Sequence, residues 1–343
     1  MLTISPISES VRYTGRWFVT ENSATSTTPG AYFDVAFKGT WCDLRFDVTG
    51  NAEAYPHLYI QLDGGAKIDA RLDRCIRIEA PDDNNHVATV CFKSAVQDQQ
   101  RWYEPLVAKV TFIGTETDAC GTLPVDNRKI IEFLGDSITE GIWVDEYRRP
   151  CWGSTSNREN MVFQNDSTAT YAYLTAKALG MRPYIMGYGS LGLAVKAAGG
   201  VPKAKEAYPF CFNDAPKKPI DAEIIVINYG VNDLFHADFC DHLREYEEFL
   251  LLVRKLNPKS KIVALSAFYG AYPEEKAASL SAFESYPKEV EKLVNRYNKE
   301  HSDDVLFIDS TGWIPQSPMH PTREGHKIVA EKLVKCLKDS LGI

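Results

Sequence analysis

A chain of 343 residues, 44% of them hydrophobic, is long for one ordinary domain and can bury two separate cores. Its formal net charge of −8, with no run of Lys or Arg, argues against a nucleic-acid or anionic-membrane partner and for a neutral or polar substrate. No stretch of about 18 uninterrupted apolar residues offers a membrane span, the N-terminus lacks the basic start and apolar core of a signal peptide, and the eight cysteines show no C-x-x-C or zinc-like spacing; the expectations are reduced thiols, no metal or cofactor, and a cytoplasmic location.

Up to about residue 118 the chain reads as short β runs broken by Gly, Asp and Asn. Segments 31–37, 42–48, 57–62, 76–80 and 108–113 alternate apolar with polar residues, the period of strands covered on one face. Asp63-Gly64-Gly65 suits a hairpin turn between two of them. With no helix-period stretch intruding, residues 1–118 are predicted to form a jelly-roll-like β-sandwich. Residues 119–127, which include Pro124 and Asn127, read as a linker.

From 128 to 343 buried-looking strands alternate with amphipathic helices, the signature of a parallel α/β domain. Strands are expected at 130–134, 184–186, 224–228, 262–266 and 305–308, and helices at 169–179, 241–256, 283–301 and 323–341. The economical topology is a flavodoxin-like three-layer α/β/α sandwich. Long insertions at 143–165 and 198–219 follow the first two strands and are expected to lie over the catalytic edge, where substrate-contacting loops belong.

The strand at 130–134 runs directly into Gly135-Asp136-Ser137, which leaves Ser137 at a strand's carboxyl end, where open α/β sheets place their chemistry. Two further strand ends carry Gly187-Tyr188-Gly189 and Gly230-Val231-Asn232-Asp233, and Met319-His320-Pro321 precedes the last helix. Singly, each is ordinary: a polar loop, a turn glycine, a helix cap, a loop histidine. Thr139 stands where a G-x-S-x-G elbow would have its second Gly, which disfavours an ordinary α/β-hydrolase.

Taken together, the four segments resemble, in order and spacing, the four blocks of the SGNH (GDSL-type) hydrolase superfamily, named for a Ser, a Gly, an Asn and a His. The resemblance implies a serine esterase without metal or cofactor. Ser137 would attack, and its backbone N–H would be the first oxyanion donor; the Gly189 N–H and the Asn232 side-chain amide would be the second and third. His320 would take the Ser137 proton and return it to the leaving alcohol. Asp136 is expected to fix the nucleophile's loop by hydrogen bonding. His326 is expected to pack or cap at the last helix, and His236 is as much a solvent-facing loop residue as a neighbour of the site. His57, His86, His242 and His301 are assigned to strands, turns or helix surfaces.

The superfamily usually places an Asp three residues before its histidine, and here that position is Ser317. The Nδ1–H of the base still needs an acceptor to hold the tautomer. The Ser317 hydroxyl or a carbonyl within 316–318 is local, whereas Asp309 and Glu324 would need the chain to fold back. A backbone carbonyl is preferred, which makes the site a Ser-His dyad.

A β-sandwich in front of an SGNH domain is similar to carbohydrate esterase family 2, whose members remove acetyl groups from plant polysaccharides, some of them with a dyad. Segments 11–16, 29–39 and 128–139 add shorter echoes. Trp143, Trp152, Phe163, Tyr188 and Tyr229 fall in or next to the expected catalytic-edge loops, and aromatic faces stack on sugar rings. The leading expectation is removal of O-acetyl groups from xylan- or mannan-type oligosaccharides. A short-chain carboxylesterase or thioesterase acting on another acylated metabolite, and a carbohydrate-binding protein with a degenerate SGNH domain, stand as alternatives. The oligomeric state is open.

Overall fold

The computed structural model describes residues 2–145, 158–268, 277–314 and 320–343, with side chains described from 160 and from 284 in the two helices that begin at 158 and 277. The first ten strands are β1 (Leu2–Ile4), β2 (Val11–Thr14), β3 (Phe18–Val19), β4 (Ala24–Ser26), β5 (Tyr32–Phe46), β6 (His57–Leu62), β7 (Ile68–Arg71), β8 (Cys75–Glu79), β9 (Asn85–Ser94) and β10 (Val110–Cys120). They form one antiparallel hydrogen-bonded network, with the central path β3-β4-β10-β5-β9-β6-β7.

The strand β5 organises that network. The sequence suggests two strands here, at 31–37 and 42–48, but the chain stays extended through Gly39, where φ is +120° and an added Cβ would meet Asp118 Oδ2 at 2.9 Å. Residues Tyr32 to Lys38 pair with β9 and Trp41 to Arg45 with β8. A register shift against β10 absorbs the bend. The expected alternation of exposure also fails in its first half, which is buried on both faces. Phe33 packs against Phe112 and Trp17, while Asp34 on the other face is covered by an ion pair with Arg12 and a hydrogen bond from Thr89. Strand β9, which carries Cys91, pairs with both β5 and β6, and β10 extends through Ala119 and Cys120, which pair with Lys38 and Phe37 and so shorten the expected linker. The Asp63-Gly64-Gly65 turn joins β6 and β7 as a hairpin.

The second sheet contains β11 (Ile130–Gly135), β12 (Arg182–Gly187), β15 (Ala222–Asn228), β16 (Lys261–Leu265) and β17 (Leu306–Ile308). All its pairings are parallel, in the order β12-β11-β15-β16-β17, the 2-1-3-4-5 order of flavodoxin-like sheets. Each strand is within two residues of its expected bounds. The helices are α1 (Ser137–Glu140), α2 (Arg158–Gln164), α3 (Tyr171–Ala178), α4 (Ala204–Ala207), α5 (Val231–His236), α6 (Phe239–Leu256), α7 (Ala277–His301) and α8 (Arg323–Leu341), and a short hairpin, β13 (Phe210–Phe212) with β14 (Ala215–Pro216), follows α4. The short α1 and α5 lack the length to show a 3.6-residue period, yet both begin at strand ends that carry the candidate site.

Hydrophobic side chains gather in two large clusters, one among the antiparallel strands and one around the parallel sheet. Buried polar contacts tie the two. Arg16 donates to the carbonyls of Tyr208 and Phe210 and pairs with the buried Glu132 of β11. The insertion at 198–219 is thereby packed down against the first strands, with Tyr208 and Cys211 buried, rather than held out as a substrate loop. Among the described residues no helix is long and apolar enough to cross a membrane.

Candidate active site

The turn from β11 into α1 is tightly specified. Asp136 caps the helix by accepting the Ile138 N–H at 2.9 Å, as its expected loop-fixing role requires. One turn later the chain leaves through Gly141 at φ +92°, where a Cβ would approach the Asp166 carbonyl oxygen to 2.5 Å. The N–H groups of Gly141 and Ile142 both donate to the Ser137 carbonyl at 3.0 Å. Ser137 therefore begins a one-turn helix closed at both ends and is itself buried.

Ser137 Oγ lies 2.8 Å from His320 Nε2. Donation of the hydroxyl hydrogen to Nε2 leaves the imidazole proton on Nδ1. The segment carrying His320 is pinned just downstream. Thr322 caps α8, the Arg323 N–H donates to the Val144 carbonyl at 3.2 Å, and the Arg323 guanidinium pairs with Asp145 and Asp166. Trp143 stands edge to face with the His320 ring at 4.8 Å, and its backbone N–H donates to Asn165 Oδ1 at 2.9 Å. Among the described residues no acceptor reaches the buried His320 Nδ1. Asp309 accepts from Thr311 in its own loop and from Ser266 at the end of β16, and the exposed Glu324 faces Lys327. Ser317 and the carbonyls of 316–318 lie outside the described residues.

Burial pushes the His320 imidazole down to about 4. The neutral, proton-accepting form therefore persists through the neutral range and is lost as pH falls through that value. We expect protonation of His320 to bring kcat/KM down on an acid limb below about pH 5. A pH series with a small neutral ester checks this, and complete loss of activity with an ordinary histidine limb would mean that the working base is solvated or paired with an anion.

The oxyanion side differs from the expectation at one donor. The Gly189 N–H donates to Glu140 Oε2 at 2.6 Å, so this donor is taken by a carboxylate instead of facing an incoming carbonyl. Gly189 has a separate reason to be Gly: a Cβ there would come within 2.3 Å of Gln97 Oε1 from the first strand region. Asn232 Nδ2 donates to the Leu191 carbonyl at 3.0 Å and makes a longer contact of 3.4 Å with Asp136 Oδ2; the second hydrogen is weakly held at that distance. Ser137 begins its helix, where backbone N–H groups have no partner within the helix. Asp233 anchors the same corner by accepting the N–H groups of Leu193 and Ala194, with the buried His242 Nδ1 at 3.2 Å. Burial, reinforced by Asp233 and Glu140, raises the Asp136 carboxyl to about 7.

Several expected contacts take other places. Tyr188 is buried, its hydroxyl engaged with Thr27, Thr28 and the Cys211 carbonyl, and Tyr229 is buried edge-on to Phe249; neither offers a face to a ligand. Both sit where their strands leave the sheet, and the neighbouring insertion and helix cover them. Trp152 lies outside the described residues. Phe163 is 58% exposed. His326 packs inside, accepting the Tyr171 N–H on Nδ1, and His242 is fully buried on α6 rather than on its surface. Glu247, Glu300 and His301 approach closely enough to share an ion, but Glu300 and His301 are exposed and the half-buried Glu247 already pairs with Arg296.

Arg101 and Glu140, neither of them marked by any motif, also belong to this corner. They form a fully buried ion pair at 2.7 Å, and the same Glu140 holds Gly189. A lone Arg in a polar loop and a Glu in a one-turn helix carry no periodic signal.

The model of the GDSL-like Lipase/Acylhydrolase family matches residues 133–328, a span that includes all four candidate positions. The chain is 26% identical over 256 residues to the cellulase/esterase CelE of Acetivibrio thermocellus, covering 70% of this chain and 29% of that protein's length. It is 23% identical over 292 residues to an acetylxylan esterase / glucomannan deacetylase of Cellvibrio japonicus, covering 78% of this chain and 72% of that one. In fold it is similar to a family two carbohydrate esterase from Clostridium thermocellum in complex with cellohexaose, with a TM-score of 0.75 at 20% identity over 97% of this chain and 99% of that one.

Proposed function

The chain belongs to the GDSL-like lipase/acylhydrolase family and is a carboxylic ester hydrolase, and from that premise we propose that it removes O-acetyl groups from xylan- or mannan-type oligosaccharides through an acetyl-Ser137 intermediate. The observation that carries the chemistry is the 2.8 Å approach of His320 Nε2 to Ser137 Oγ. In the first step the Ser137 proton passes to Nε2 as Oγ bonds to the acetyl carbon. The Ser137 N–H and the Asn232 amide receive the developing oxyanion. Collapse breaks the bond to the sugar oxygen, which leaves with the proton from Nε2. Water then repeats the exchange and releases acetate, restoring both side chains.

We read the pair as a dyad, with a carbonyl of 316–318 or the Ser317 hydroxyl accepting the Nδ1–H. The absence, among the described residues, of any carboxylate at Nδ1 supports this. We take residues 1–118 as a jelly-roll-like domain and 128–343 as the catalytic one. The glycan assignment is supported by the family two carbohydrate esterase likeness and by the relatives known as acetylxylan esterase / glucomannan deacetylase and cellulase/esterase. Trp143 is the aromatic residue closest in support, since its ring walls the base.

The test is acetate release by wild-type protein from acetylated xylo- and manno-oligosaccharides, beside 4-nitrophenyl acetate and butyrate. Release from one oligosaccharide at a kcat/KM above that for 4-nitrophenyl acetate is expected. Turnover of the activated esters alone would move the substrate to another small acylated molecule.

A further inference from the structure

The Arg101 side chain comes from the loop between β9 and β10, yet it ends beneath the nucleophile's helix. Its Nη1 donates to Glu140 Oε1 at 2.7 Å and its Nη2 to the Val96 carbonyl at 3.1 Å, and the guanidinium lies 5.6 Å from the centre of the Tyr188 ring. Arg101 and Glu140 are both out of contact with solvent. Glu140 closes α1, three residues after Ser137, and its second oxygen takes the Gly189 N–H at 2.6 Å. Gly189 leads into the turn whose Leu191 carbonyl receives the Asn232 amide. The same loop holds the far side of this turn, since the Arg101 N–H donates to the Gly199 carbonyl at 2.9 Å and the Gly189 carbonyl accepts the Ala198 N–H at 3.0 Å.

We propose that Arg101 is a positioning residue for catalysis: through Glu140 it locks α1 to the turn after β12, and so sets the distance between Ser137 and the Asn232 amide. The antiparallel strand region thereby supplies a structural part of the active site. A buried carboxylate without a cation would shed its charge or draw in water. Either change frees the Gly189 N–H and loosens the spacing of nucleophile and oxyanion donors. The Arg101–Glu140 pair does not touch substrate, so its effect falls on the chemical step and not on substrate binding. This inference rests on the serine-hydrolase reading and is independent of the glycan assignment.

The experiment uses 4-nitrophenyl acetate and the full chain, with Ser137→Ala run in parallel. For Arg101→Met we expect kcat to fall about 10²-fold, the scale of an ångström-sized misplacement, with KM within about threefold of wild type. Arg101→Lys, which keeps the charge and one donor, should recover kcat to within about tenfold. Because Arg101→Met strands a buried carboxylate, Arg101→Met/Glu140→Met serves as the folding control: replacing a buried ion pair by apolar side chains is often neutral for stability. That double variant should fold, as judged by circular dichroism and thermal unfolding, and still show the loss in kcat. A folded double variant with wild-type kcat, or a loss confined to KM, would overturn the proposal. A Ser137→Ala protein that still turned the ester over would instead contradict the underlying serine mechanism.

Discussion

Ser137→Ala is expected to hydrolyse esters at least about 10⁴-fold more slowly than wild type, since the step that splits the reaction through an acyl-enzyme disappears. What remains is the background from oxyanion donors and substrate binding, which other serine hydrolases retain after loss of a catalytic side chain. The fold should survive. Oγ makes its hydrogen bond to His320 Nε2, so its removal leaves one buried ring nitrogen unsatisfied at a cost of about 1–3 kcal/mol. Thermal unfolding and initial rates on one preparation separate the two effects. A variant that retained a tenth or more of wild-type activity would exclude Ser137 as nucleophile.

His320→Ala should lose a comparable factor, on the order of 10⁴ to 10⁶, because the hydroxyl then has no base within reach. Groups that act as a unit are strongly non-additive. The Ser137→Ala/His320→Ala protein should therefore be no slower than the worse single variant, and a multiplicative loss would show the two side chains working in separate steps. The single-variant result also bears on the dyad. With no carboxylate at Nδ1 among the described residues, burial alone holds His320 neutral, and its catalytic worth lies in geometry more than in an anionic partner.

The parallel half of the molecule was readable because its central strands are buried on both faces and run as nearly continuous apolar segments, such as Ile224 to Asn228 in β15. The strand ends carried Ser137 and Asn232, and the cap of the last helix placed His320 just before α8. The antiparallel half was less legible. Alternation suggested polar outer faces, but Asp34 is buried beneath Arg12, and a glycine with positive φ turned two expected strands into one. A sequence cannot show which buried polar groups will meet across a fold, so the engagement of the Gly189 N–H with Glu140 was unforeseen. For the same reason Tyr188 and Tyr229, placed at strand ends beside the site, proved to be interior residues. Their position along the chain was right for ligand contact, while their side-chain direction was fixed by packing partners distant in sequence, Thr27, Thr28 and Phe249.

The most direct test of the serine mechanism is covalent. Wild-type protein, Ser137→Ala and His320→Ala would be treated with a fluorophosphonate, which reacts with activated serine hydroxyls, and the peptides mapped by mass spectrometry. The arrangement of Ser137 and His320 predicts one phosphonyl group per wild-type chain, located on Ser137, with labelling greatly slowed in His320→Ala and absent from that peptide in Ser137→Ala. Labelling of a different serine, or a wild-type Ser137 no more reactive than the other serines of the chain, would contradict it.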